Sequence, residues 1–367
     1  MRHLNSKSPK VRDAEQILER CIGTHGVWAD PTRYRHQCWT RDFALAILPL
    51  LIECREFAIA RTHLQELTKR VRKNGQVPIL FLDKTLPFLT DKVTKSIRDR
   101  KISFMLRRYV TGNLWNLTPG TRDSEICYLI AMHEYAIHAH DQSLITDNVE
   151  VLHRVMHYIE HNLITDGLLT GCDWRDTMHR ELGKSALLTN NSLLYHAYML
   201  MHQTQKAHWL LQRINQKFWN GTSFQDAPNR SRFDPLGGAL AVLHGAIPHD
   251  RYASLIQSFR SVDSPHGVTI KCKHNPFGPE EQEVIDRTDG VVVWPFIVGF
   301  SVLALIKMGD FKFAQEQFDK LTALKGFREW YDPANGKGFG ANEQLWSATL
   351  YLRAANAIER ERLKSLN

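Results

Sequence analysis

Apolar residues recur along this chain at intervals of three and four, the spacing that gives a helix one buried face. Read with the usual start and stop signals, the pattern predicts helices over roughly 11–22, 41–57, 58–73, 122–140, 146–162, 185–203, 204–217, 236–246, 249–261, 291–308, 311–325 and 343–358. These helices are of two kinds that tend to alternate. Phe43–Ile52, Leu187–Met201, Val291–Ile306 and Leu345–Ala355 are apolar nearly all round, as expected of helices buried on every side. Segments 58–73, 146–162, 204–217 and 311–325 carry charged faces.

Buried helices ringed by amphipathic ones define an all-α architecture, the (α/α)6 barrel or six-hairpin toroid. No signature repeats at a period near 34 or 40 residues, which argues against a stacked solenoid. No Pro/Gly/Ser-rich linker interrupts the series, so one catalytic-size domain over 1–367 is expected, with an excursion at about 82–120. The least helical stretches are 26–42, 111–125, 165–180, 262–290 and 326–344, and in such a barrel these connections meet at one mouth.

Composition adjusts this reading in two places. Gly and Pro total 35 of 367 residues, too few for a chain of many short strands. The net charge of +8 suggests an acidic partner until it is located. Lys92, Lys95, Arg98, Arg100, Lys101, Arg107 and Arg108 against Asp99 carry +6 of it in one segment, read here as a solvated helix or excursion. No nucleic-acid partner is expected. The six cysteines form no CxxC pair, which fits reduced thiols, and Met1–Lys10 lacks an apolar signal core, so a cytoplasmic location is expected. Asn116, Asn190, Asn220 and Asn229 are then chance sequons. The longest apolar run, Val291–Ile306, contains Pro295 and Gly299 and is too short to span a bilayer, so it reads as a buried helix and no membrane partner is expected.

The chemistry concentrates in the mouth segments. HxxxH-like spacings occur, but no HExxH or His-plus-acid set stands beside a loop, so neither metal nor cofactor is expected. No GxSxG elbow is present. What recurs is tryptophan beside carboxylate or arginine: Trp39-Thr40-Arg41-Asp42, Asp173-Trp174-Arg175-Asp176, Glu329-Trp330-Tyr331-Asp332, and a looser group of Asp286, Arg287, Asp289 and Trp294. Six of nine tryptophans (39, 115, 174, 294, 330, 346) lie in or next to such segments. Flat C–H faces of sugars stack on aromatic rings and their hydroxyls suit Asp and Arg, so a carbohydrate is the expected partner. Glycosidic hydrolysis needs a protonated carboxyl and a second carboxylate on the opposite face, about 6.5–9.5 Å apart when the configuration inverts. Asp176 and Glu329, 153 residues apart, meet that need if the barrel closes, and Trp174 and Met178 stand ready to desolvate Asp176.

These motifs together resemble the clan of (α/α)6-barrel glycoside hydrolases that includes alkaline/neutral invertases (family 100), family 63 processing-glucosidase-like enzymes, trehalases (family 37) and the amylo-α-1,6-glucosidase module of glycogen debranching enzymes. The resemblance runs from about Trp39 to Ala355. Cys38-Trp39-Thr40-Arg41-Asp42-Phe43 is similar to the W-x-R-D-F segment that holds the sugar, and Gly120-Thr121-Arg122-Asp123-Ser124 to a sugar-contacting start of an inner helix. Asp173-Trp174-Arg175-Asp176-Thr177-Met178 resembles the invertase M-I-D-R-R-M and debranching W-M-D-K-M segments, which implies Asp176 as general acid. Aligned to the trehalase S-G-W-D motif, the acid falls on Asp173. Asp289-Gly290-Val291-Val292-Val293-Trp294-Pro295 looks like G-G-S-W-P, with Val292 in place of the small residue. Phe327-Arg328-Glu329-Trp330-Tyr331-Asp332-Pro333 resembles W-P-E-Y-Y-D, which implies Glu329 as general base. Gln344-Leu345-Trp346-Ser347-Ala348 resembles the closing W-S-A segment.

The resemblance implies an inverting, exo-acting hydrolase of an α-linked glucosyl or similar residue. Trp39, Arg41, Asp42, Asp123, Trp174, Arg175, Asp289, Trp294, Tyr331, Gln344 and Trp346 are the expected sugar-binding residues. Two departures leave the substrate open: no β-rich N-terminal domain is visible, and the specificity loops match no single family throughout. Two other classes stay open: a sugar isomerase or epimerase using histidine pairs, and a non-catalytic carbohydrate-binding or scaffold protein. The oligomeric state is not readable.

Overall fold

A computed structural model of the chain describes residues 8–83, 121–272 and 278–366. The expected basic segment 92–108, Trp115 and most of the 82–120 excursion lie outside the described residues. Ser8 opens the first helix, α1 (Pro9–Cys21), its hydroxyl accepting from the Val11 N–H while Pro9 occupies the first turn. Strand β1 (Gln37–Trp39) leads directly into α2, which runs over Thr40–Asp42, a π-turn at Phe43–Ile47, and Leu48–Glu53. Pro49 has no N–H to donate to the preceding turn, and the helix takes up the loss by widening ahead of it, with the Leu48 N–H reaching Phe43.

Then follow α3 (Phe57–Thr68), β2 (Leu80–Leu82), α4 (Ser124–His138), α5 (Val149–Asn162), a two-residue hairpin pair β3 (Ile164–Thr165) and β4 (Leu168–Leu169), α6 (Leu188–Leu200), α7 (Thr204–Lys217), α8 (Pro235–Leu243) and α9 (Tyr252–Ser261). The last third holds β5 (Thr269–Lys271), α10 (Pro279–Thr288), β6 (Val291–Val293), α11 (Pro295–Met308), α12 (Phe311–Ala323), β7 (Trp330–Tyr331), β8 (Gly338–Phe339) and α13 (Leu345–Leu366).

Among the described residues, α2, α4, α6, α8, α11 and α13 form an inner ring, each packed on the next, and α13 returns to α2 to close it. Outer helices α3, α5, α7, α9 and α12 pack against the inner ones, and α1 lies on α13, so the first and last helices seal the ring together. This is the expected (α/α)6 barrel. The inner helices are buried almost throughout: Leu188–Leu194 of α6 and Pro295–Val302 of α11 are continuous core. The outer helices bury one stripe, such as Leu152, Val155, Met156 and Ile159 of α5. No helix among the described residues is long and apolar enough to cross a membrane.

Two expectations need correction. The run 291–306 is not one helix: Val291–Val293 is a strand, and Pro295 starts the helix after it. Three β-branched residues favour the extended form, and proline disfavours helix in the residue before it. The stretch 262–290 is not all loop, since it contains β5 and α10. β5, β6, β7 and β8 pair in that order as a small antiparallel sheet, with Ile270 opposite Val292 and Val293 opposite Tyr331. β1 pairs with β2, setting Trp39 opposite Leu80.

Close packing of inner helices is clearest at Gly299, where an added Cβ would stand 2.7 Å from the Leu350 Cβ of α13. Gly299→Leu is expected to cost about 1–3 kcal/mol by overpacking, read as a lower midpoint in urea unfolding.

Candidate active site

The N-terminal ends of the inner helices share one mouth, and they bring together groups the chain carries far apart. Arg41 in the first turn of α2 is at the centre. Its Nη1 donates to Asp123 Oδ2 at 2.9 Å, its Nη2 to Asp176 Oδ2 at 3.3 Å, and its Nε lies 3.8 Å from Asp42 Oδ1. Asp123 is the residue before α4, but its carboxylate serves Arg41 and caps no backbone N–H. Asp176 sits in a single 3-10 turn, Asp176–Met178, between α5 and α6. The guanidinium also lies over the Trp39 ring at 5.6 Å.

Burial alone would draw Arg41 down, but Asp123, Asp176 and Asp42 together raise it above its ordinary value. Burial lifts the Asp42 carboxyl to about 7, Arg41 opposing this and Glu329, Asp123 and Asp176 adding repulsion. Burial raises Asp123 as well, again against Arg41. Asp123 Oδ1 has no hydrogen-bond partner in the protein.

Glu329 faces this group from the connection between α12 and α13. Its Oε2 accepts the Ala341 N–H at 2.8 Å, and the Tyr34 hydroxyl lies 3.2 and 3.3 Å from its two oxygens. Burial raises the Glu329 pKa, while the Ala341 N–H, Arg33 and Tyr34 hold it back. Gly340, at φ +75°, passes so close that a Cβ would stand 2.5 Å from the Glu329 Cβ and Oε2, so both the backbone angle and the space require glycine. Tyr34 feels the charges of both Glu329 and Asp176, and its ring meets Trp39 edge-on at 6.3 Å.

Trp174, Trp294, Trp346 and Phe296 form one buried aromatic group at the same helix ends. Trp174 meets Trp294 at 5.0 Å and Phe296 at 5.2 Å, and Phe296 stacks on Trp346 at 3.9 Å. The Nε1 atoms of Trp174 and Trp346 and the Oε1 of neighbouring Gln344 are buried without partners. Polar atoms left so at a mouth are poised for a ligand rich in hydroxyls.

Four expected site residues are placed elsewhere. Asp173 is fully buried, and its two oxygens are taken by Arg175: Oδ1 by N and Nε at 3.1 and 3.0 Å, Oδ2 by Nη2 at 2.7 Å. Arg175, 1 % exposed, also reaches Asp234 at 3.3 Å and Asp226 at 3.8 Å, so it ties the 172–176 loop to the start of α8 and offers nothing to a sugar. Asp234 in turn caps α8 through the N–H groups of Leu236 and Gly237. Tyr331 is buried, its hydroxyl donating to the Lys325 and Gly326 carbonyls and accepting the Arg328 N–H, which shapes the Glu329 loop. Asp289 follows α10 in the left-handed conformation, its side chain 71 % exposed and paired with Lys271. Tyr34, Gly340 and the Ala341 N–H were not anticipated. Nothing within Arg33-Tyr34-Arg35-His36 marks the tyrosine, because its partner lies 295 residues away.

No protein-family model and no curated protein sequence matches the chain. Solved structures do. A wild-type glycosidase superposes with a TM-score of 0.67 at 15 % identity, over 95 % of this chain and 96 % of that one. A glycosidase variant in complex with glucose gives 0.66 at 14 % identity, over 95 % and 96 %. The GH63 mannosylglycerate hydrolase from Thermus thermophilus, in complex with Tris and D-glycerate, gives 0.66 at 14 % identity, over 94 % and 99 %. The chain is thus an (α/α)6 barrel with the fold of GH63 glycosidases, matched over 94–95 % of its length.

Two stability outcomes follow from the buried charges. Arg175→Met leaves the buried Asp173 and Asp234 without their cation and Asp226 with Arg230 alone, and is expected to lose about 3–5 kcal/mol, read as a lower urea midpoint. Burial also raises Glu125, beside Asp123, from 4.5 to about 7. The folded chain therefore keeps a proton there that the unfolded chain releases. The stability it contributes is full below about 4.5 and is lost as pH rises to about 7. Glu125→Gln should flatten the pH dependence of the melting temperature across that window.

Proposed function

We propose that the chain is an inverting, exo-acting glycoside hydrolase that removes an α-linked glucosyl or closely similar residue. The observation that carries this reading is the pair of carboxylates supplied by separate connections, Asp176 on Arg41 at the start of α2 and Glu329 on the Tyr34 hydroxyl and the Ala341 N–H. Asp176 is the general acid. Arg41 holds its Oδ2, which leaves Oδ1 to carry the proton given to the glycosidic oxygen as that bond breaks. Glu329 is the general base. It takes a proton from a water whose oxygen attacks the anomeric carbon from the opposite face, so the product anomer is inverted.

Arg41, Asp42 and Asp123 hold hydroxyls of the sugar at the cleavage point, with Trp39, Trp174, Trp294 and Trp346 as walls and Gln344 as a further polar contact. The unpartnered Asp123 Oδ1, Gln344 Oε1 and the indole N–H groups of Trp174 and Trp346 support this assignment. The structural likeness to a glycosidase that binds glucose and to a mannosylglycerate hydrolase supports a sugar substrate. Histidine acid–base chemistry finds no support here, since the stacked His196–His244 pair belongs to the C-terminal ends of α6 and α8, away from the mouth.

Asp176→Asn and Glu329→Gln should each lower turnover by about 10²–10⁴-fold while the folded spectrum is kept. The substrates to try are sucrose, trehalose, maltose, isomaltose, glucosylglycerate and mannosylglycerate, with the product anomer followed by NMR. A retained anomer, or activity persisting in both amides, would overturn the assignment. Because burial raises Glu329, the acid limb of kcat/KM should lie above 4.5. Tyr34→Phe, which removes a donor to the carboxylate, should move that limb higher still.

A further inference from the structure

Asp30 lies fully buried in the connection between α1 and β1, and among the described residues it forms no ion pair. A buried carboxylate without a cation costs several kcal/mol unless hydrogen-bond donors replace its water. Four donors do so here. Oδ1 accepts the Thr32 N–H at 2.6 Å, the Thr32 hydroxyl at 2.8 Å and the Arg33 N–H. Oδ2 accepts the Glu343 N–H at 3.1 Å, from a residue 313 positions further along the chain.

The two oxygens hold two different segments, and each segment carries a support of Glu329. The turn closed on Oδ1 presents Tyr34, whose hydroxyl lies 3.2 and 3.3 Å from the Glu329 oxygens. It also presents Arg33, whose charge holds the Glu329 pKa back. The segment held on Oδ2 presents the Ala341 N–H, 2.8 Å from Glu329 Oε2. The Glu329 strand is fixed to that segment by its own N–H on the Ala341 carbonyl at 3.0 Å and by the Gln344 N–H on the Phe327 carbonyl at 2.7 Å. Neither bond uses the Glu343 N–H, which is left for Asp30. One side-chain acceptor suffices to close a turn of this kind, and an asparagine supplies it. What an aspartate adds is a second accepting oxygen.

We propose that Asp30 is a positioning residue for the hydrolysis inferred above: its carboxylate clasps the Tyr34 turn to the Ala341 segment and so fixes Glu329, without itself touching substrate. The proposal rests on the assignment of Glu329 as general base. Asp30→Asn keeps an acceptor for the turn but sets an NH2 donor against the Glu343 N–H. Glu343→Pro removes that N–H and leaves the carboxylate in place, so loss of fold in one variant leaves the other. In both, amide exchange across residues 30–34 and 341–345 should quicken at least about tenfold, with exchange in α6 and α11 unchanged.

Turnover should fall about 10–10²-fold through kcat, with KM nearly unchanged. The acid limb of kcat/KM should move higher, because Glu329 loses groups that hold its pKa back. Glu281 and Asp42 also face Glu329, and neither variant touches them. Tyr34→Phe should cost less in the Asp30→Asn background than alone, since both act through one contact. Unchanged local exchange in the folded variants would overturn the proposal whatever the activity. So would quickened exchange with kcat and the acid limb unmoved. Loss of the cooperative melt in both variants would make Asp30 a support of the whole fold and would overturn it too. Turnover persisting in Glu329→Gln would instead overturn the catalytic reading, and exchange alone would then decide the clasp.

Discussion

Arg41 is buried in the first turn of α2 and shared among Asp42, Asp123 and Asp176, three carboxylates delivered by three segments of the chain. A single buried ion costs several kcal/mol, and only well-placed opposite charges offset that. The four groups therefore stand or fall together, and the mouth takes its shape from their mutual placement. Asp176 is the member left most open, with its side chain 23 % exposed, so the cluster is sealed on one side and reachable on the other.

A second buried guanidinium supports the first. Arg175, in the connection between α5 and α6, gathers Asp173, Asp226 and Asp234 where solvent does not reach. It fixes the loop that presents Asp176, because Asp173 and Arg175 flank Trp174 immediately before it. The ends of the inner helices add to this arrangement. Helix N-termini carry partial positive charge from their unpaired N–H groups, and converging several of them at one mouth favours carboxylates there. Glu329 is held by a different means, between a backbone N–H, a tyrosine hydroxyl and a glycine that admits close approach. The proposed acid and base thus rest on separate supports. At the far end of the same helices Arg353 pairs only loosely with Glu53, at 3.8 Å and partly exposed.

Local pattern carried much of this. Twelve helical segments were legible because buried and half-buried helices differ in how apolar residues are spaced, and the alternation of the two kinds already implied a ring. The pattern failed at Val291–Val293, where a wholly apolar run has no period to read and proline decides the boundary. Tryptophan beside acid or arginine located the mouth segments. It could not separate Asp173 from Asp176, three residues apart in one motif, the first sealed against Arg175 and the second paired with Arg41 but still 23 % exposed. Nor could it separate Arg41 from Arg175: both are buried among three carboxylates, but only Arg41 has one, Asp176, that is open to solvent.

By itself, then, the sequence determined which segments are helices, which of them are buried, and which connections hold carboxylates and indoles, because these depend on residues within a few positions of one another. Closure of the ring decided the rest. Tyr34 meets Glu329 across 295 residues, and Arg41 meets Asp176 across 135. Whether a carboxylate is sealed, paired or open depends on burial and on the nearest opposite charge, and both are set by helices that become neighbours only when α13 packs back onto α2.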